Sequence, residues 1–150
     1  MTPDVEAVLA ELDGHRIQFT VLCRSLTEDQ LQRAVPQSTW LVRDFIAHLA
    51  TIDGPVGEMF TSVHAGADPG IRSGDGERWN VDRWNEDRIQ ERRELSVDDL
   101  LMQAAVERTK LRNQLAALTD GDLAKKIQFQ GEAHRPASEI DLRSYLRGWC

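Results

Sequence analysis

The sequence predicts an all-α protein, a four-helix bundle with a long crossover between its second and third helices. Three observations predict it. Apolar residues recur at three- and four-residue steps in four separate segments. Strand-like alternation is almost absent. One glycine-rich stretch, residues 64–80, divides the second segment from the third, long enough to cross the length of a bundle.

Thr2 and Pro3 read as an N-cap and first helical residue, because Pro loses nothing where the N–H has no helical partner. Val5, Val8, Leu9, Leu12, Phe19, Leu22, Cys23 and Leu26 then mark one face of a helix about 35 Å long. His15 falls on that same inner stripe. Gly14 interrupts it at about 1 kcal/mol relative to Ala, which allows a bend. Thr27 to Gln37 is a connection that Pro36 helps to close.

The second helix is expected from about Trp40 to about Val63. Its inner face is Leu41, Phe45, His48, Leu49, Ile52, Val56 and Phe60. Pro55, between Gly54 and Gly57, removes a helical hydrogen bond and predicts a kink or break. Gly66, Pro69, Gly70, Gly74 and Gly76 then crowd residues 64–80, a composition suited to a crossover or a lid.

A polar helical segment, Val81 to Leu95, carries Trp84 and Ile89. Ser96-Val97-Asp98-Asp99 is the clearest capping signal in the chain. It opens a helix with Leu100, Leu101, Ala104, Leu111, Leu115 and Leu118 inward. Segments 81–95 and 96–118 are either two helices or one with a local irregularity. Thr119 to Ala137 is turn-rich, with one short extended stretch at Ile127-Gln128-Phe129. Ser138 is expected to cap a last helix with Ile140, Leu142, Tyr145, Leu146 and Trp149 inward. That helix reaches Trp149-Cys150 in the middle of an apolar pattern, without a Gly or Asn cap. An incomplete last helix, in a single domain spanning 1–150, is the expectation.

Composition narrows the function classes. The chain has 150 residues, 41% hydrophobic and 29% charged, enough to bury a core. Lys plus Arg number 18 against 25 Asp plus Glu, a net charge of −7. That balance argues against nucleic acid, whose phosphates need a basic footprint, and against an anionic membrane surface. No apolar run approaches the roughly 18–20 residues of a membrane span. The N-terminus shows no basic and apolar signal regions. Two cysteines, Cys23 and Cys150, are too few for a disulfide scaffold, so a cytoplasmic protein is expected.

The chain has no phosphate-binding glycine loop, no Cys-x-x-Cys, no His-Glu-x-x-His and no Gly-x-Ser-x-Gly. His48 stands out. It lies one turn after Asp44 on the face of Phe45 and Ile52, which points its imidazole into the bundle. Such a histidine is either a metal ligand, oriented through its other nitrogen, or a core residue bonded to a neighbouring side chain. His15 reads as core, while His64 and His134 read as solvated.

The segment Trp40-Leu41-Val42-Arg43-Asp44-Phe45-Ile46-Ala47-His48-Leu49-Ala50 resembles the second-helix signature of the DinB-like superfamily, which includes the mycothiol-dependent maleylpyruvate isomerases. Asn80-Val81-Asp82-Arg83-Trp84-Asn85-Glu86, followed by Arg93-Glu94-Leu95-Ser96, is similar to the start of that family's third helix. The resemblance implies a four-helix bundle holding a divalent metal, typically zinc or nickel, with His48 as the first ligand. It implies two further ligands from the last helix, a His-x-x-x-His or Glu-x-x-x-His pair, whose spacing shares one helix face. This sequence departs from the pattern in two places. Leu41 stands where the family usually has Ser or Thr, which passes capping to Ser38 or Thr39. The ligand pair would begin at about Cys150, leaving that thiol as a substitute ligand or as a free cysteine.

Two classes of function follow. In the first, an enzyme, a metal-activated thiolate from a low-molecular-weight thiol attacks an electrophile, as a transferase or isomerase would. His48 would hold the metal, Trp40, Trp84 and Asn85 would line the site, and loop 64–80 would cover it. The isomerases' extra C-terminal domain has no counterpart here, so maleylpyruvate isomerisation itself is not expected. In the second, the chain is a non-enzymatic metal- or partner-binding bundle, with the charged segment 81–95 as a contact face. The resemblance also implies a homodimer.

Overall fold

The structure, a computed structural model, describes residues 1–67, 80–129 and 136–149. Thr2 Oγ1 accepts from the Val5 N–H at 3.3 Å and starts α1 (Pro3–Ser25), which continues unbroken through Gly14. A reciprocal capping box of Thr27 and Gln30 builds the short α2 (Glu28–Leu31). The expected second helix is two helices, α3 (Val42–Thr51) and α4 (Asp53–His64), parted at Ile52. Pro55 therefore occupies the third position of α4, where a missing N–H breaks no helical bond.

Of the two readings of residues 81–118, the structure has two helices: α5 (Val81–Glu91) and α6 (Val97–Ala116). Ser96 and Asp99 cap α6 reciprocally, at 3.1 Å from the Asp99 N–H and 3.4 Å from the Ser96 N–H. After the short α7 (Asp120–Leu123) comes β1 (Lys126–Phe129). It pairs antiparallel with β2 (Ser138–Asp141), Ile127 facing Ile140. Ser138 thus belongs to a strand and caps no helix. The last helix, α8 (Leu142–Trp149), starts where Asp141 accepts from the Ser144 N–H at 2.9 Å.

Among the described residues the helices enclose two apolar clusters. One joins Val5, Val8, Leu9 and Leu12 of α1 to Phe60 and Val63 of α4, Leu111 and Leu115 of α6, and Leu142 and Leu146 of α8. The other joins Cys23, Leu31, Ile46, Ala50, Leu100 and Ala104. Near the α3–α4 break, the buried Asp53 carboxylate takes Arg108 Nε at 2.6 Å and Arg16 Nη2 at 3.4 Å. Arg108 also donates to the Leu12 carbonyl at 3.0 Å, tying α1, α4 and α6 together.

His15, Leu22 and Leu49, all expected inside, are exposed. The reason for His15 and Leu22 is coverage. The ion pairs of α8 with α1 fall at Asp4, through Arg143 and Arg147, at the far end of α1 from Leu22. No described helix is long and apolar enough to cross a membrane.

Candidate functional site

The approach to α3 is pinned before the helix begins. Val35 N–H donates to the Trp40 carbonyl at 3.0 Å and Val42 N–H to the Arg33 carbonyl at 3.0 Å. Leu41 sits at the N-cap without a side-chain acceptor. Neither Ser38 nor Thr39 takes over that role: Ser38 Oγ accepts from the Trp40 N–H at 3.1 Å, outside the helix. Asp44 instead reaches back to the Leu41 N–H at 2.9 Å, where a carboxylate also meets the positive end of the helix.

This start fixes Trp40 over the second turn of α3. Its ring meets Phe45 edge-on at 5.0 Å between centroids and lies 5.3 Å from the His48 ring, tilted by 48°. Trp40 Nε1 donates to Glu86 of α5 at 2.7 Å. The next residue down, Asn85, hydrogen-bonds the His48 side chain. Three sequence-nominated residues, Trp40, His48 and Asn85, are therefore brought together at the α3–α5 contact. Trp84 adjoins them in sequence, with the Arg88 guanidinium 5.9 Å from its ring.

His48 Nδ1 is buried and has no hydrogen-bond partner. Burial pushes the imidazole below the usual histidine range, and the Asn85 hydrogen bond partly offsets this. The ring is thus neutral near pH 7, the form in which an imidazole nitrogen can offer a lone pair.

A divalent metal is the group that the family resemblance implies. An orphaned, buried imidazole nitrogen fits one ligand of such a metal. The other ligands are not in view: among the described residues no group of three His, Cys, Asp or Glu could hold an ion. Zinc normally takes three or four protein ligands. Cys150, His134 and residues 68–79 of the expected covering loop lie outside the described residues.

A second polar cluster had no local signal that linked its members. His64 at the end of α4 comes within 2.8 Å of Asp122, whose other oxygen takes Lys125 Nζ at 2.7 Å. Thr119 N–H and Oγ1 complete the set at 3.0 and 2.8 Å. The Thr119-x-x-Asp122 spacing of a capping box was legible in sequence; its pairing with a histidine 58 residues earlier was not.

The model of the mycothiol maleylpyruvate isomerase N-terminal domain family matches residues 12–147. Among solved structures, the chain is similar to a histidine-to-alanine mutant of mycothiol-dependent maleylpyruvate isomerase, at a TM-score of 0.66 and 12% identity. The similarity covers 97% of this chain and 57% of that one, so the chain spans little more than half its length. At that identity the likeness establishes the helical fold alone. No curated protein matches the sequence.

Proposed function

The chain belongs to the mycothiol maleylpyruvate isomerase N-terminal domain family, within the DinB-like superfamily, and on that premise we propose that it acts in low-molecular-weight-thiol chemistry through His48. The observation that carries this reading is the buried Nδ1 without a partner. A group removed from water without a hydrogen bond costs about 1–3 kcal/mol, a cost that a ligand would remove.

His48 would hold a divalent metal, zinc or nickel, together with donors outside the described residues. A metal so placed binds a thiol, lowers its pKa and presents the thiolate to an electrophile. The chain's own residues prepare the ring. Burial keeps it neutral, Asn85 bonds the ring from α5, and Trp40 packs beside the imidazole. Glu86, by holding the Trp40 indole, locks α5 onto the site.

A second reading, a non-enzymatic bundle, is favoured by the lack of a three-ligand group among the described residues. The charged face of α5 lends that reading little. Arg92 is engaged by Glu91 at 3.1 Å and Gln103 at 3.0 Å, and Arg88 pairs with Glu91.

Elemental mass spectrometry of the chain, purified without chelator or affinity metal, separates the readings when His48→Ala is measured in parallel. Near-stoichiometric zinc or nickel that the variant loses supports the thiol reading. A change in the absorption of the cobalt-substituted protein on adding thiol would extend it to substrate. Metal in neither protein rejects a metalloenzyme and leaves the binding bundle.

A further inference from the structure

Where α4 ends against α7, His64 and Asp122 form a centre of their own. The Asp122 carboxylate accepts from Lys125 Nζ at 2.7 Å and from the Thr119 N–H and Oγ1 at 3.0 and 2.8 Å. Asp122 is only 5% exposed, so these bonds rather than water satisfy it. The Lys125 ammonium and the Thr119 donors keep the carboxyl ionised. An ionised carboxylate accepts and never donates. His64 Nδ1, 2.8 Å away, therefore carries the ring proton.

The neutral ring then has its lone pair on Nε2, at the edge of the ring away from Asp122. That nitrogen has no hydrogen-bond partner among the described residues, and the His64 side chain is 46% exposed. A buried carboxylate that holds Nδ1–H and leaves Nε2 open is the arrangement that turns a histidine into a base or a nucleophile. His15 is exposed too, but it makes no ion pair with a described carboxylate. Lys125 Nζ spends two of its three N–H groups on Asp122 and on the Val63 carbonyl, each at 2.7 Å. The third is left for an oxygen that gains negative charge.

We propose that His64 is the nucleophile of a second reactive centre, which takes the acyl group of a thioester or an activated ester and releases it to water. Nε2 attacks the acyl carbon. A C–N bond forms, the bond to sulfur or oxygen breaks, and the leaving group departs as an anion with the electron pair. The acyl-imidazolium so formed keeps its Nδ1 proton against the Asp122 carboxylate, which stabilises the new positive charge. Water then adds to the acyl carbon, and the C–N bond breaks with its electron pair returning to Nε2. One water proton goes to the leaving anion and the other to solvent, leaving a carboxylate; nothing is oxidised or reduced. The sequence of steps draws on no metal and is independent of the role of His48.

Hydrolysis of p-nitrophenyl acetate by the full chain, with a chelator present, tests it. Release of p-nitrophenolate should exceed that by an equal concentration of N-acetylhistidine amide by about tenfold or more. His64→Gln, a substitution on an exposed ring, should remove that excess, and His15→Gln should leave it in place. Asp122→Asn, checked for folding by circular dichroism, should lower the excess by about tenfold, because an amide no longer holds the proton on Nδ1. Long-range proton–nitrogen NMR of the unsubstituted protein near pH 8 reads the same geometry without a variant, and should find Nδ1 of His64 protonated and Nε2 bare. A rate no greater than that of the free histidine overturns the proposal. So does an excess that survives His64→Gln or a folded Asp122→Asn, or a His64 ring protonated on Nε2 and bare on Nδ1.

Discussion

The Asn85 side chain hydrogen-bonds the His48 ring across the α3–α5 contact, and Nδ1 of that ring is buried without a hydrogen-bond partner. A core histidine placed only for packing would have both nitrogens satisfied or solvated. Here Nδ1 has neither. The arrangement depends on Trp40, whose indole bridges the start of α3 to Glu86.

Stability should follow the protonation of His48. Burial lowers its pKa in the folded chain, while the unfolded chain titrates near 6.5. Below about pH 6.5 the unfolded state binds a proton that the folded state refuses. His48 therefore supports stability fully above that pH, and its contribution is lost as pH falls through its folded pKa. Urea unfolding across pH 5–8 should show a steeper fall on acidification than His48→Gln shows. Equal slopes would refute the shift.

Asp53 is the counter-charge for two arginines in the interior. Asp53→Ala leaves Arg108 and Arg16 without it and should cost about 3–5 kcal/mol. Chemical denaturation measures this directly. A loss below about 1 kcal/mol would mean that water already compensates the arginines.

Asp122 accepts from Lys125, His64 and Thr119, contacts that hold its carboxyl well below the usual carboxylate range. A depressed acid stabilises above its unfolded pKa, near 3.9, and the contribution is lost as pH falls further. Asp122→Asn should therefore be less stable at neutral pH and should flatten the acid-unfolding curve below about pH 4. An unchanged acid limb would place the acid sensitivity elsewhere.

Gly14 lies within α1, and a Cβ added there would meet nothing within 4 Å. Gly14→Ala should stabilise the monomer by about 0.5–1 kcal/mol through the helix backbone alone. Destabilisation would show that α1 uses the glycine's freedom.

Helix existence was legible because each buried stripe repeats over several turns, as Val5, Val8, Leu9 and Leu12 do on α1. The break in the second helix was also legible, from Pro55, although the structure places it three residues earlier, at Ile52. His48, Trp40 and Asn85, singled out separately in the sequence, lie together at the α3–α5 contact. Periodicity misled at His15, Leu22 and Leu49, since a stripe shows which face is apolar but not how far the covering helix extends. Ser138 misled because a serine before an apolar run suits both a cap and an edge strand; its pairing with Phe129 decided it. The Asp53–Arg108 and Asp122–His64 pairs span 55 and 58 residues, and no local pattern encodes contacts at that separation.

Long-range proton–nitrogen NMR of the histidine rings, recorded with and without added zinc, tests the reading of His48 most directly. A ligand role for Nδ1 predicts that nitrogen unprotonated and Nε2 protonated at neutral pH, with zinc moving the Nδ1 resonance before those of the other histidines. A proton on Nδ1, or an Nδ1 resonance that zinc leaves in place, would contradict it.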